Sequence, residues 1–169
     1  MKTICMLAFI LFTSFSGSIP NKTVERVDLQ RFGGKWYSLY SIPTFFDKDT
    51  RETTALYTLN KDGYYDVMTY AKKGDDEQIH TYKSKLFPVE GSHNAYLKAQ
   101  FIWPIKVDYW VIELAADYSY VVVGHPDHRF LFIMTRKPSL DKKLLDEIIA
   151  RCKAKGYATE KLTSQKHNG

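Results

Sequence analysis

Apolar and polar positions alternate in short runs through most of the chain, between residues 36 and 135. The runs are rich in Val, Ile, Tyr, Phe and Thr, which favour the pleated, half-buried setting of a β-strand. Turn sequences such as Asn60-Lys61-Asp62-Gly63 separate them. The eight predicted strands are 36–42, 53–59, 64–71, 77–87, 96–101, 107–114, 118–123 and 130–135. Their number and their short links predict an antiparallel sandwich or barrel.

The spacing of apolar residues changes after the eighth strand and becomes helical. Ser139 is a natural N-cap, and Gly156 marks the far end of the predicted helix. One apolar stripe runs along it, formed by Leu140, Leu144, Leu145, Ile148, Ile149 and Cys152. We therefore expect the helix to pack on the outside of the sheet with Cys152 buried, followed by a short closing strand at 158–162.

Composition restricts the class of protein. The 169 residues are 44% hydrophobic and 15% aromatic, which suits one globular domain and an aromatic-lined cavity. The net charge is +5, but acidic residues are interleaved with the basic ones and no basic block occurs. No nucleic-acid partner is expected.

The N-terminal segment has the pattern of a leader. Met1-Lys2 precedes an apolar run at 4–12 and then small residues, so we interpret 1–18 as a signal peptide and 19–169 as the domain. A lipid anchor would need a cysteine after the apolar run, whereas Cys5 lies at its beginning. The sequence therefore predicts a periplasmic or secreted protein that is not lipid-anchored.

Three distant motifs occur in a specific order: Gly34-Lys35-Trp36 near the first strand, Asp117-Tyr118 before the seventh, and Arg136 after the eighth. Their order, together with the segments 101–104, 108–112 and 118–124, resembles the lipocalin family. The branch that they resemble contains bacterial lipocalins, plant temperature-induced lipocalins and apolipoprotein D.

This resemblance implies an all-β fold, an eight-stranded antiparallel up-and-down β-barrel with one C-terminal α-helix packed on the outside. It also implies that Arg136 covers Trp36 at the closed end of the barrel. Gly34, Asp117 and Tyr118 would complete this structural signature. The chain departs from the family pattern at Ala116, where a threonine is common, and in lacking the anchoring cysteine of the bacterial archetype.

A barrel that is closed at one end implies an open mouth and a cavity with room for one small ligand. Alternation from Trp36 and Arg136 predicts an apolar lining formed by Tyr40, Tyr57, Met68, Tyr70, Leu97, Phe101, Trp110, Ile112, Leu114, Phe130, Phe132 and Met134. Phe45 and Phe46 lie in the loop expected over the mouth, where ligand contact and a local cluster are equally consistent with the sequence. The lining suits a fatty acid or a lysophospholipid, without a metal or cofactor.

An enzyme is the alternative from another class. The chain has neither Gly-x-Ser-x-Gly nor a phosphate loop, and His125-x-x-His128 lies in a proline-containing turn. An isomerase-like lipocalin would need an ionisable group inside the cavity, yet alternation places Lys83 and Lys98 outside. The sequence thus favours a non-enzymatic carrier of a hydrophobic small molecule, and it leaves peripheral membrane contact and the oligomeric state open.

Overall fold

Nine strands form one closed antiparallel sheet in the computed structural model, which describes residues 19–45 and 47–167. The strands are β1 (Gly34–Ile42), β2 (Thr50–Leu59), β3 (Tyr65–Lys73), β4 (Asp76–Pro88), β5 (Tyr96–Ile102), β6 (Ile105–Leu114), β7 (Tyr120–Gly124), β8 (Leu131–Thr135) and β9 (Thr163–Ser164). Each of β1 to β7 pairs with the next strand, the short β9 pairs with β1, and β1 also pairs with β8 as well as with β2. This double pairing closes an eight-stranded barrel, so the fold expected from the resemblance is confirmed.

Two α-helices accompany the barrel, α1 (Leu29–Phe32) and α2 (Lys142–Ala154). The short α1 precedes β1 and brings Phe32 under the closed end, where this side chain is fully buried. Its N-cap is Asp28, whose carboxylate accepts hydrogen bonds from the backbone N–H groups of Gln30 and Arg31. Thus α1 covers one end of the barrel.

The apolar stripe of α2 packs on the outer wall of the barrel, as the sequence predicts. Ile148 and Cys152 are fully buried against Val122 of β7 and Leu131 and Ile133 of β8. The N-cap is Asp141, whose carboxylate accepts from the backbone N–H of Leu144, so the expected cap at Ser139 is wrong by two residues. Burial raises the pKa of the Cys152 thiol to about 12, as expected for a packed core cysteine.

The closing strand lies later than predicted. Residues Thr159–Lys161 form a 3₁₀ turn, and β9 follows at Thr163–Ser164. This position follows from the end of the β1–β2 pairing, whose last pair is Tyr37 with Thr54: β9 then takes the place of β2 beside Tyr40 and Ser41, and the Leu39 carbonyl accepts from the backbone N–H of Gln165. On its other edge β1 stays paired with β8 up to Ile42, with Leu39 as the extra residue of a β-bulge.

The apolar core has two parts on either side of the barrel wall. One fills the closed half of the barrel around Trp36 and Tyr65, and the other lies between the wall and α2. Among the residues described, no helix combines the length and apolarity that crossing a membrane requires.

Candidate ligand-binding site

Trp36 and Arg136 close the barrel at the end where β1 begins. The Trp36 indole is fully buried, and its N–H donates to the carbonyl of Phe32 at 2.9 Å. The guanidinium Cζ of Arg136 lies 3.6 Å from the centroid of this indole. Its two terminal nitrogens donate to the carbonyls of Arg31 at 2.7 Å and Lys35 at 2.9 Å. Arg136 thus joins the end of α1 to the start of β1 while covering the ring.

Tyr118 and Asp117 lie at the same end and brace α1. The Tyr118 hydroxyl accepts from the backbone N–H of Asp28 at 2.9 Å, and the Arg31 guanidinium stacks 4.1 Å from the Tyr118 ring centroid. Hydrogen bonds from Ser119 lower the pKa of the Asp117 carboxyl. These contacts fix the turn into β7 against the helix.

Gly34 permits the close approach of Arg136. Its φ of +88° lies in the left-handed region that other residues rarely adopt. A Cβ at this position would lie 3.4 Å from Arg136 Nη1. The structure therefore brings all five signature residues, Gly34, Trp36, Asp117, Tyr118 and Arg136, together at the closed end.

The open half of the barrel contains a cavity of about 980 Å³. Its wall is mostly apolar and comes from alternate residues of seven strands and from the loop after β1. The apolar lining includes Ala55, Tyr57, Val67, Ala71, Leu86, Ala99, Phe101, Val107, Tyr109, Phe130, Phe132 and Met134. A cavity of this volume is within the range of small-molecule sites, about 300–1,000 Å³.

Two tyrosines form a polar pair within this lining. The hydroxyl groups of Tyr57 and Tyr109 lie 2.7 Å apart, and both side chains are buried. Burial raises the pKa of Tyr57 to about 12 and raises the pKa of Tyr109 well above its ordinary value. Both phenols therefore stay neutral near pH 7, and each satisfies the other.

Apart from Tyr57 and Tyr109, the titratable side chains that line the cavity lie near its mouth, at the loops and on β4. Burial raises the pKa of Asp47, although Thr44 donates hydrogen bonds to its carboxylate. Burial also lowers the pKa of His125, whose Nδ1 accepts from the backbone N–H of Asp127 at 3.0 Å. Because of these groups, the mouth of the cavity is more polar than the closed half of the barrel.

Gln165 contributes a further polar group. Its side chain is almost fully buried, accepting from the Thr53 hydroxyl at 2.7 Å and donating to the Ser41 hydroxyl at 3.2 Å. The segment after α2 therefore supplies part of the cavity wall.

The rim of the open end exposes large apolar side chains. At the turn between β5 and β6, Trp103 is 82% exposed, and Ile102 and Ile105 beside it are also exposed. Phe45 in the loop after β1 is exposed as well. An apolar ligand would meet apolar surface before it enters the cavity.

Five residues of the predicted lining lie on the cavity wall, namely Tyr57, Phe101, Phe130, Phe132 and Met134. Leu97 and Leu114 face the barrel interior but pack into the core of the closed half, outside the cavity lining. Phe46 and the leader 1–18 lie outside the described residues.

Three predicted lining residues, Tyr40, Trp110 and Ile112, face the opposite side of the wall and pack in the cluster under α2. The bulge at Leu39 reverses the alternation on β1, and Ile112 is itself the bulged residue of β6. On β6 the inward positions are Val107, Tyr109 and Val111. The predicted register of this strand was wrong by one residue.

The predicted register is also wrong by one residue on β3, at Met68 and Tyr70. Their neighbours Val67, Thr69 and Ala71 face the cavity, whereas Met68 and Tyr70 line a groove on the outer surface. The pairing of neighbouring strands agrees with this orientation, because Met68 of β3 lies opposite Leu56 of β2, whose side chain also faces outward.

The prediction missed the polar lining, including Tyr109, Asp47, His125 and Gln165. Tyr109 could have been found from the alternation of 107, 109 and 111, each of which is apolar or aromatic. The other three lie in loops or after the helix, where no periodicity applies.

Metal and nucleophilic chemistry have little basis in the described part of the chain. It holds no cluster of three His, Cys, Asp or Glu side chains placed to bind a metal ion. His128 contacts the carbonyl of Lys155 at 2.8 Å, and Cys152 is buried under α2. Lys98 pairs with Asp108 away from the cavity lining.

Comparison with known proteins agrees with this geometry. The family model described as a lipocalin-like domain matches residues 27–167. Outer membrane lipoprotein Blc of Vibrio cholerae is 30% identical over 142 residues, covering 83% of each chain. Temperature-induced lipocalin-1 of Arabidopsis thaliana is 29% identical over 153 residues, covering 83% of this chain and 80% of that protein. Apolipoprotein D of Bos taurus is 27% identical over 159 residues, covering 87% and 81%.

Among solved structures, insecticyanin from the tobacco hornworm Manduca sexta has the same fold. The TM-score is 0.70 at 18% sequence identity, over 90% of this chain and 87% of that chain. The chain belongs to the lipocalin family, whose members bind small hydrophobic ligands. The resemblance to its bacterial, plant and apolipoprotein D branch is confirmed.

One expectation is contradicted by these relatives. The position of Cys5 led to the prediction that the protein is periplasmic or secreted and not lipid-anchored. The Blc proteins of Vibrio cholerae, Citrobacter freundii and Escherichia coli are outer membrane lipoproteins, so that conclusion is wrong. The place of one cysteine in an apolar run is a weak basis for excluding an anchor.

Proposed function

We propose that the protein binds and carries a lipid with one acyl chain, a fatty acid or a lysophospholipid, in the barrel cavity. The observation that carries this proposal is the cavity itself, about 980 Å³ in volume, apolar along its wall and closed by Trp36 and Arg136. A flexible acyl chain suits such an apolar, aromatic-lined space better than a rigid polar metabolite does.

Burial of the chain supplies the affinity. Removing apolar surface from water is worth about 25 cal/mol per Å², or about 0.8 kcal/mol for each methylene group. At the inner end of the cavity the methyl end of the chain meets mainly apolar side chains and the neutral pair Tyr57–Tyr109. The polar end of the lipid therefore remains in the open half, where the titratable side chains lie.

The same observations support a carrier over a lipocalin-fold enzyme. General acid–base catalysis needs a group whose pKa is near the working pH and which reaches the substrate. Deep in the cavity the titratable groups are Tyr57 and Tyr109, whose pKa values burial moves upward, away from neutrality. Of the two lysines considered for this role, Lys98 is paired with Asp108, and Lys83 borders the cavity at an exposed position far from its inner end.

Displacement of a fluorescent fatty-acid analogue tests the proposal. We expect saturated fatty acids to displace it with a stoichiometry of one per protein. Affinity should rise about tenfold for every two added methylenes until the cavity is full. A diacyl phospholipid is the control, because we expect its second acyl chain not to fit in the cavity beside the first. Failure to displace the analogue, or affinity that does not depend on chain length, would overturn the proposal.

A further inference from the structure

The barrel wall is incomplete between β4 and β5. β4 pairs with β3 from Asp76 to Leu86, whereas its pairing with β5 covers only Lys85–Pro88. Within residues 19–45 and 47–167, no strand pairs with the β5-facing edge of β4 over 76–84. Side chains from both faces of this half-strand are exposed, including Ile79 and Tyr82. Over this stretch, one edge of β4 therefore has no hydrogen-bonded strand beside it among the described residues.

A groove of about 500 Å³ lies on the outer surface beside this gap. Its apolar side is formed by outward-facing residues of β2 and β3 and by the rim, namely Leu56, Met68, Tyr70 and Trp103. The groove and the cavity have Val67, Lys83 and Ser84 in common. The two spaces therefore border the same part of the wall, beside the unpaired edge of β4.

Lys83 lies where the two spaces adjoin. Other lysines of this region have carboxylate partners: Lys72 has Glu52 and Glu77, Lys98 has Asp108, and Lys85, which lines the same groove, lies 4.0 Å from the groove's own carboxylate, Asp66. Lys83 is exposed and takes part in no ion pair among the residues that the structure describes. An ammonium group beside apolar surface, without its own counter-ion, suits an anionic group on an amphiphile.

We propose that the gap between β4 and β5 is a lateral opening of the cavity that holds the head of an anionic single-chain amphiphile. The acyl chain would lie in the cavity, and a phosphate or carboxylate would lie in the outer groove at Lys83. Trp103 and Tyr70 would cover the carbon atoms next to the head group. This inference rests on the proposed function and adds the route and the charge of the ligand.

Charge at Lys83 can be tested with two lipids that share a palmitoyl chain, lysophosphatidic acid and the neutral monoacylglycerol. We expect Lys83→Gln to weaken binding of lysophosphatidic acid about tenfold, as loss of a charge-assisted contact does, and to leave the neutral lipid unchanged. Palmitate should show a smaller loss if its carboxylate lies deeper than a phosphate. Lys73→Gln is the matched control, because Lys73 is exposed at the end of β3 and lines neither space.

The position of the head group can be tested by fluorescence quenching. Acyl chains brominated next to the carboxyl group should quench Trp103, whereas bromines near the methyl end should not. The emission of Trp103 is obtained as the difference between the wild type and Trp103→Phe, an exposed substitution that leaves Trp36 and Trp110 in place.

The outcomes separate this inference from the proposed function. If no lipid displaces the fluorescent analogue from the wild type, both fail. If lipids bind but Lys83→Gln affects the charged and neutral lipids equally, or head-group bromines leave Trp103 unquenched, the lateral opening alone is overturned. Circular dichroism of each variant checks that the fold is kept.

Discussion

The Arg136 guanidinium lies flat enough over Trp36 to bring its Cζ within 3.6 Å of the ring centroid, and the same group binds the carbonyls of Arg31 and Lys35. One side chain therefore stabilises the floor of the barrel in two ways, through its contact with the ring and through hydrogen bonds to two backbone carbonyls. Loss of either residue should weaken what the other contributes.

A double-mutant cycle measures this coupling. Arg136→Ala should lower the free energy of unfolding by about 1–3 kcal/mol, and Trp36→Ala by about 3–5 kcal/mol because it also leaves a cavity. The double variant should lose less than the sum of the two, since the shared contact is counted twice in that sum. Urea denaturation of the four proteins provides the values. Strict additivity would show that the two side chains do not interact.

The Tyr57–Tyr109 pair gives a second cycle inside the cavity. Tyr57→Phe should destabilise the protein by about 1–3 kcal/mol, because the buried hydroxyl of Tyr109 loses its partner. Replacing both tyrosines by Phe should recover most of that loss, since neither hydroxyl then remains. Tyr82→Phe, at an exposed position, is the control and should have little effect. A double variant less stable than either single one would contradict this account.

Filling the cavity should remove binding without unfolding the barrel. Thr69 of β3 lines the cavity, so Thr69→Trp places an indole in the space proposed for the acyl chain. Thr54 of β2 lines neither the cavity nor the outer groove, and Thr54→Trp is the matched control. We expect at least a tenfold loss of fatty-acid affinity in the first variant and little change in the second, measured by displacement of the fluorescent analogue. Equal affinity in the two variants would place the ligand elsewhere.

His125 should make stability depend on pH between about 7 and 5. Burial and then the nearby Arg129 lower its pKa from the ordinary 6.5, and its Nδ1 is needed as an acceptor for the backbone N–H of Asp127. In this range the unfolded chain binds a proton that the folded protein does not, so stability falls as the pH decreases through 6.5 and levels off below the folded pKa.

The variant His125→Asn isolates this contribution. An Asn side chain can still accept from the backbone two residues on, but it does not titrate. We expect the difference in unfolding free energy between wild type and variant to change between pH 7 and pH 5, as followed by urea denaturation at each pH. A constant difference would show that His125 titrates alike in both states.

The hydrophobic pattern predicted the eight strands and the outer helix, because turns and strong periodicity define them, whereas the up-and-down barrel and the residues of its closed end came from the resemblance to the lipocalin family. It predicted the cavity wall less well. At Tyr40 and Trp110 the wall is apolar on both faces, since α2 covers the outside, and alternation then carries no information about direction. The bulges at Leu39 and Ile112 shift the register by one residue, and no composition signal marks them.

The polar half of the site depends on contacts between distant parts of the chain. Gln165 reaches the cavity because β9 lies beside β1 beyond the end of the β1–β2 pairing, where the Leu39 carbonyl accepts from its backbone N–H. The outer groove borders the part of β4 that has no partner in β5. Neither relationship can be derived from local sequence, since each depends on which strand lies beside which.

The buried thiol of Cys152 also reports on how the helix is attached to the barrel. Among the residues described it is the one free thiol, and it lies fully covered between α2 and the wall. A thiol reagent can reach it only in molecules whose helix has come away. The rate at which Cys152 is modified therefore measures how often α2 detaches from the barrel. Comparing this rate with and without bound lipid would show whether a filled cavity stabilises the attachment of the helix.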